Sequence, residues 1–144
     1  MKVTYEQLVN NIRTLALSHK QVNDFGYGDP WEISKKEYKY PLVFLTDAIT
    51  RLEGGRWAMG FNLLVLDKVT ESESNELKVI SNAFLIGGDI IGALWNPSEY
   101  YNINDKDVEA RVFTNSLTDD DAGVKFDITI YVDEALNSCE APFE

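Results

Sequence analysis

The chain holds one histidine, His19, and one cysteine, Cys139, so the side chains that most often do nucleophilic or metal chemistry are nearly missing. A tetrahedral zinc site draws four ligands mainly from Cys and His, and two such residues cannot supply it. No Ser or Cys stands in a recognisable nucleophile motif, so His19 has nothing to activate. It falls at the end of an expected first helix, where an imidazole complements the negative end of the helix dipole. Cys139 lies in an unpatterned tail, and its neighbour Glu140 opposes formation of a thiolate. Asp119-Asp120-Asp121 offers oxygen ligands of the kind Ca²⁺ and Mg²⁺ prefer. It lacks the alternating acidic spacing and terminal glutamate of an EF-hand loop, and reads as a solvated hairpin tip. Gly26-Tyr27-Gly28 precedes no strand-to-helix turn and Gly87-Gly88 falls inside a helical pattern, so neither has the context of a phosphate-binding loop. The expectation is a non-enzymatic chain with no catalytic, metal or cofactor site, whose work is to make contacts.

The charge balance narrows the contacts. With 13 Lys+Arg against 24 Asp+Glu, the net charge is −11, which repels phosphate backbones and anionic membranes. A single cysteine excludes an intramolecular disulfide and fits a reducing cytoplasm. The first residues carry no apolar signal core. The longest apolar run, Ala83 to Trp95, is interrupted by Asp89 and falls short of the roughly 20 residues of a membrane span. At 144 residues the chain has the length of one domain, read as residues 1–144 with a globular core over 1–133 and a C-terminal arm over 134–144.

The elements that must position these residues follow from periodicity. Thr4 and Gln7 have the spacing of a capping box, Val3 and Leu8 that of a hydrophobic staple. Tyr5, Leu8, Ile12 and Leu15 give a helix to about Lys20 one apolar stripe. A loop, Gln21 to Tyr38, follows. Tyr40 to Thr46 reads as a strand that starts at a proline. Arg56 to Val69 is the longest strand: Trp57, Met59, Phe61, Leu63 and Val65 share one face, while Leu64 and Leu66 predict burial on both faces towards its end. These two strands are expected to pair as a hairpin.

Thr70 and Glu73 are spaced as a second capping box for a helix to about Asn96. Its apolar residues cover most of the circumference, which predicts burial from two sides. Gly87, Gly88 and Gly92 predict close approach of another backbone. Ser98 to Asp107 reads as a polar, tyrosine-bearing loop. Glu109 to Leu117 and Val124 to Val132 read as a second hairpin turning through Thr118 to Gly123. Two hairpins and two helices give an α+β fold, a small antiparallel sheet with the helices packed on it and an extended C-terminal arm.

Aromatic residues in irregular segments are candidate contact anchors. They are Phe25, Tyr27 and Trp31 in the first loop and Tyr100 and Tyr101 in the second; Cys139, Pro142 and Phe143 of the arm are candidate contacts beside them. The competing reading of the first group is that it folds back over the edge of the core.

The order of several short motifs spans nearly the whole chain. They are Ser18-His19-Lys20-Gln21, Gly26-Tyr27-Gly28-Asp29, Tyr40-Pro41-Leu42, Leu66-Asp67-Lys68-Val69, Asn75-Glu76-Leu77, Asp121-Ala122-Gly123 and Asn137-Ser138-Cys139-Glu140-Ala141-Pro142-Phe143. In this order the chain resembles small neck proteins of tailed bacteriophages, of the kind found in crAss-like phages, with the layout of tail-terminator and tail-completion subunits. The resemblance implies a structural ring protein of the virion neck or tail, between portal and tail, with no enzymatic activity. Its implied partners are copies of itself and adjacent neck, portal or tail proteins, with DNA only passing through the lumen and no membrane. Assembly in the bacterial host cytoplasm is implied with it. The main alternative is an acidic inhibitor or adaptor that mimics DNA and binds a host protein. A small-molecule-binding domain is a third reading, and requires a concave apolar pocket.

Overall fold

The computed structural model describes residues 4–70, 75–95, 101–103, 108–114 and 121–132. In chain order the elements are α1 (Tyr5–Ser18), β1 (Asp24–Tyr27), a 3-10 helix (Pro30–Lys35), β2 (Leu42–Asp47), β3 (Arg51–Glu53), β4 (Arg56–Lys68), α2 (Glu76–Trp95), β5 (Tyr101–Ile103), β6 (Glu109–Thr114) and β7 (Asp121–Val132).

Local chemistry sets the ends of several of these. The Gln7 N–H donates to Thr4 Oγ1 at 3.1 Å and the Thr4 N–H donates to Gln7 Oε1 at 2.8 Å. This is the expected capping box, which satisfies two backbone donors at the start of α1. Val3, the other half of the expected staple, lies outside the described residues. Gly54 and Gly55, at φ 57° and 81°, form the two-residue turn between β3 and β4; two successive positive φ values suit the twist of a tight hairpin and favour glycine.

The strands form one sheet in the order β1-β2-β4-β7-β5, with β3 added to β4 and β6 to β7. Its spine is the antiparallel pair β4–β7, in register from Trp57 opposite Val132 to Lys68 opposite Asp121. Because β7 fills one side of β4, β2 and β3 share the other, β2 against Phe61 to Leu66 and β3 against Arg56 to Ala58. β5 and β6 likewise share the far side of β7. Among the described residues, only β1 and β2 run parallel. The expected α+β class holds, but the sheet exceeds two hairpins. The segments read as loops contain β1 and the 3-10 helix (within Gln21 to Tyr38) and β5 (within Ser98 to Asp107), and β3 lies between the two strands expected to pair as a hairpin. Strands of three or four residues are too short to show alternation. β7 also starts at Asp121, inside the segment expected to turn; Asp119 and Asp120 lie outside the described residues.

Both helices cover the same side of the sheet. Their Leu8, Ile12, Ile86 and Ile90 pack with Phe61, Leu63, Phe126 and Ile128 in the main core. The opposite side has a smaller core at one end, where Ile33 of the 3-10 helix covers Leu42, Phe44, Leu64 and Leu66. The two-sided burial expected at the end of β4 is therefore observed.

α2 departs from expectation. Only Val79, Ala83, Ile86, Gly87, Ile90 and Leu94 are buried, because the sheet covers one side of the helix and, among the described residues, nothing covers the other. A Cβ on Gly87 would meet the Phe126 ring at 2.1 Å, whereas Gly88 and Gly92 face open space. One glycine of three thus marks a close approach, and to a side chain. The helix starts at Glu76, and the Thr70 N–H donates to Asn75 Oδ1 at 2.9 Å; Glu73, the other half of the expected capping box, lies outside the described residues.

Candidate functional site

The titratable groups of the helix layer are tied to one another. The Gln21 N–H donates to Nδ1 of His19 at 3.1 Å, and Nε2 lies 2.8 Å from Asp89 Oδ2. A neutral imidazole that accepts at Nδ1 carries its proton on Nε2, so here it donates to Asp89. Both ring nitrogens are engaged, and neither is left to take a proton from a nucleophile. His19 therefore pins the end of α1 to α2, instead of facing the carbonyls of its own helix as the sequence suggested. Tyr5 and Tyr27 both donate to Asp47 Oδ1, Tyr27 at 2.7 Å. Burial, then the bond to Asp47, holds the Tyr5 phenol well above its ordinary range, and the same causes raise Tyr27. These phenols stay protonated at neutral pH and act as a latch joining α1, β1 and β2. Among the described residues no cluster of His, Cys, Asp and Glu is placed to hold a metal ion. Asp121, expected in a solvated tip, is fully buried at the start of β7.

Two exposed surfaces stand out among the described residues. The outer side of α2 presents Leu77, Phe84, Leu85 and Trp95, with Leu77 81 % and Leu85 61 % exposed. Leu77, Ser81, Phe84, Gly88 and Trp95 fall at steps of three, four and seven, so they line one stripe along the helix. By length and composition α2 could also cross a membrane; the run read as too short belongs to a helix of 20 residues.

The second surface lies across the sheet, where cations sit over aromatic rings. Lys35 is 4.2 Å from the Trp31 ring centre, Lys68 4.6 Å from Tyr40, Lys36 5.8 Å from Tyr38 and Arg56 4.1 Å from Tyr131. Exposed pairs of this kind contribute about 0.5–1 kcal/mol each. Lys36, Lys68, Tyr38 and Tyr40 also line an open cleft of about 520 Å³ with Ser34 and Glu37. Burial is the first cause of the raised pKa of both tyrosines, with Asp24 and Glu32 acting next on Tyr38, and Asp121 and Asp67 on Tyr40.

The expected contact anchors divide. Phe25 is buried in β1 against the main core, with Arg13 over its ring, so it serves the core edge and is not accessible to a partner. Tyr27 and Trp31 are exposed, Trp31 at 55 %. Tyr101 opens β5. Tyr100, Cys139, Pro142 and Phe143 lie outside the described residues. The sequence reading missed the α2 stripe, treating its apolar residues as core, and missed the cleft, whose lysines and tyrosines are separated along the chain. The doublet Lys35-Lys36 between Trp31 and Tyr38 was the available signal. Compared with known proteins, the chain matches no family model and no curated protein.

Proposed function

We propose that this chain is a non-enzymatic structural subunit of a tailed-phage virion. It forms an oligomeric ring with its own copies in the neck or tail-terminator region, between portal and tail. The observation that carries the reading is the outer side of α2, where Leu77, Leu85 and Trp95 are open to solvent. Large apolar side chains exposed along one helix of a strongly acidic protein suit a contact site, and a ring subunit needs lateral surfaces of two kinds. The cation–aromatic surface across the sheet supplies the second kind. The resemblance of the motif order to phage neck proteins is consistent with the same reading, and DNA enters it only as cargo repelled by the −11 charge. The acidic-mimic alternative draws less support from this surface, where Lys35, Lys36 and Lys68 lie over aromatic rings.

Quantitative mass spectrometry and imaging of purified virions test it. The expected result is this chain in a constant, multiple copy number located at the neck. Its absence from particles, or one copy or fewer per particle, overturns the reading.

A further inference from the structure

The cleft beneath the 3-10 helix combines features that select a ligand. Two ammonium groups, Lys36 and Lys68, stand over two tyrosine rings, beside the hydroxyl of Ser34 and one carboxylate, Glu37. Among the described residues neither lysine has a carboxylate within salt-bridge distance. In a chain of net charge −11, the lining carries two cations against one carboxylate between aromatic walls, with Asp24 and Glu32 acting on Tyr38 and Asp121 and Asp67 on Tyr40. It suits a carboxylate-bearing peptide that also carries an apolar ring.

The chain contains such a peptide. Residues 133–144 read Asp-Glu-Ala-Leu-Asn-Ser-Cys-Glu-Ala-Pro-Phe-Glu, with four carboxylates, one aromatic ring and no Lys or Arg. Where this segment starts matters. β7 begins opposite Lys68, beside the cleft, and ends with Val132 opposite Trp57. At about 3.3 Å per residue the segment therefore leaves the sheet roughly 36 Å from the cleft along the strand. Doubling back within one molecule would require almost its full extended length. A neighbouring copy placed end to end receives it without that cost.

We infer that the Lys36/Lys68/Tyr38/Tyr40 cleft of one subunit binds the acidic segment 134–144 of the next. This head-to-tail contact rests on the ring reading above and names its partner. A contact between two different surfaces of identical subunits closes into a ring when the rotation permits. Charge attraction at the cleft fixes the pairing, and Phe143 against the tyrosines adds apolar contact.

The lone Cys139 in the segment makes a direct test possible. Full-length protein carrying Ser34→Cys is concentrated, oxidised mildly and run on non-reducing gels, with disulfides mapped by mass spectrometry. The expected result is a ladder of multimers joined by disulfides between position 34 and Cys139. Lys36→Glu with Lys68→Glu should slow its formation about tenfold, and Glu140→Lys with Glu144→Lys in the same chain should restore it. A link within one chain, Cys139–Cys139 dimers alone, or no ladder overturns the proposal. So does a single-stranded DNA oligonucleotide that blocks the cleft at lower concentration than a synthetic 133–144 peptide, which would make the site one for phosphate. Virions that contain the chain in constant copy number while no ladder forms would sink this contact and leave the ring reading standing.

Discussion

On the helix-covered side of the sheet, Phe61, Leu63, Ile128 and Ile130 are sealed from water; on the other side, Lys125, Thr129 and Tyr131 remain half-buried and Asp127 exposed. The same alternation along β4 and β7 produces both sides, so the difference lies in what covers them. Two helices close the first. Among the described residues, a six-residue 3-10 helix closes the second at one end, and there cations settle over rings that the small core leaves partly open. α2 then carries more apolar surface than the sheet takes up, so an apolar stripe faces outward from the helix layer and a cation–aromatic surface faces outward from the sheet. One fold thus offers two contact chemistries on opposite sides, one driven by apolar burial and one by charge.

The sharpest way to break this comparison lies within α2. Gly87→Leu would drive a side chain into the Phe126 ring, which a Cβ already meets at 2.1 Å. Overpacking should destabilise the fold by about 3 kcal/mol in denaturant titrations. Gly88→Ala, one residue on, adds its methyl to open space. It should stabilise by up to about 1 kcal/mol through helix propensity alone. Equal responses at the two positions would mean that α2 does not have one packed and one open side.

The next effect is smaller and concerns the latch that holds α1 to the sheet. Tyr5→Phe removes one hydrogen bond to Asp47 and should cost about 1 kcal/mol at neutral pH. The pH dependence has a definite sign. The Tyr5 phenol is raised above its ordinary value of 10.0, so above about pH 10 the unfolded chain loses a proton that the folded chain keeps. Folding stability then falls as pH rises. The phenylalanine variant lacks this group, and its stability should fall less steeply across pH 10–11. Parallel curves would show that Tyr5 ionises freely in the folded state.

How much of this was legible depended on element length and on whether a signal was local. The Thr4–Gln7 cap and the alternation of β4 and β7 are local and strong, and both were read. So was the two-sided burial of Leu64 and Leu66. The pairing of β4 with β7 is not, because nothing in either strand names a partner some sixty residues away. α2 was misread for a different reason: an apolar circumference does not say how many sides are covered. The cleft was hidden because Lys68 comes near Tyr40 only through the register that sets Leu42 opposite Leu66. That Tyr27 and Trp31 are exposed while Phe25 turns inward is decided by the parallel pairing of β1 with β2 and by the 3-10 helix, neither of which composition reveals.

The smallest expected effect tests the claim that the helix-covered side is the one that resists charge. Asp67 follows the buried run of β4 and borders Val79, Asn82 and Ile86 of α2. Burial raises its carboxyl pKa, against the lowering influence of the Lys68 N–H, which donates to Oδ1 at 2.8 Å. Asp67→Asn keeps an oxygen for that N–H and removes the charge. The variant should be more stable at pH 7 by no more than about 1 kcal/mol, since the group is partly solvated. Its advantage should shrink on acidification: the folded wild type takes up a proton at higher pH than its unfolded chain does, and so regains stability as pH falls. Below 3.8, the ordinary carboxyl value, both wild-type states are protonated and the charge penalty is gone. Asp127→Asn, on the exposed side of β7, should change stability by less than about 0.5 kcal/mol at either pH. If the two asparagine variants respond alike, the Lys68 hydrogen bond outweighs burial at Asp67, and the contrast between the two sides does not extend to this end of the sheet.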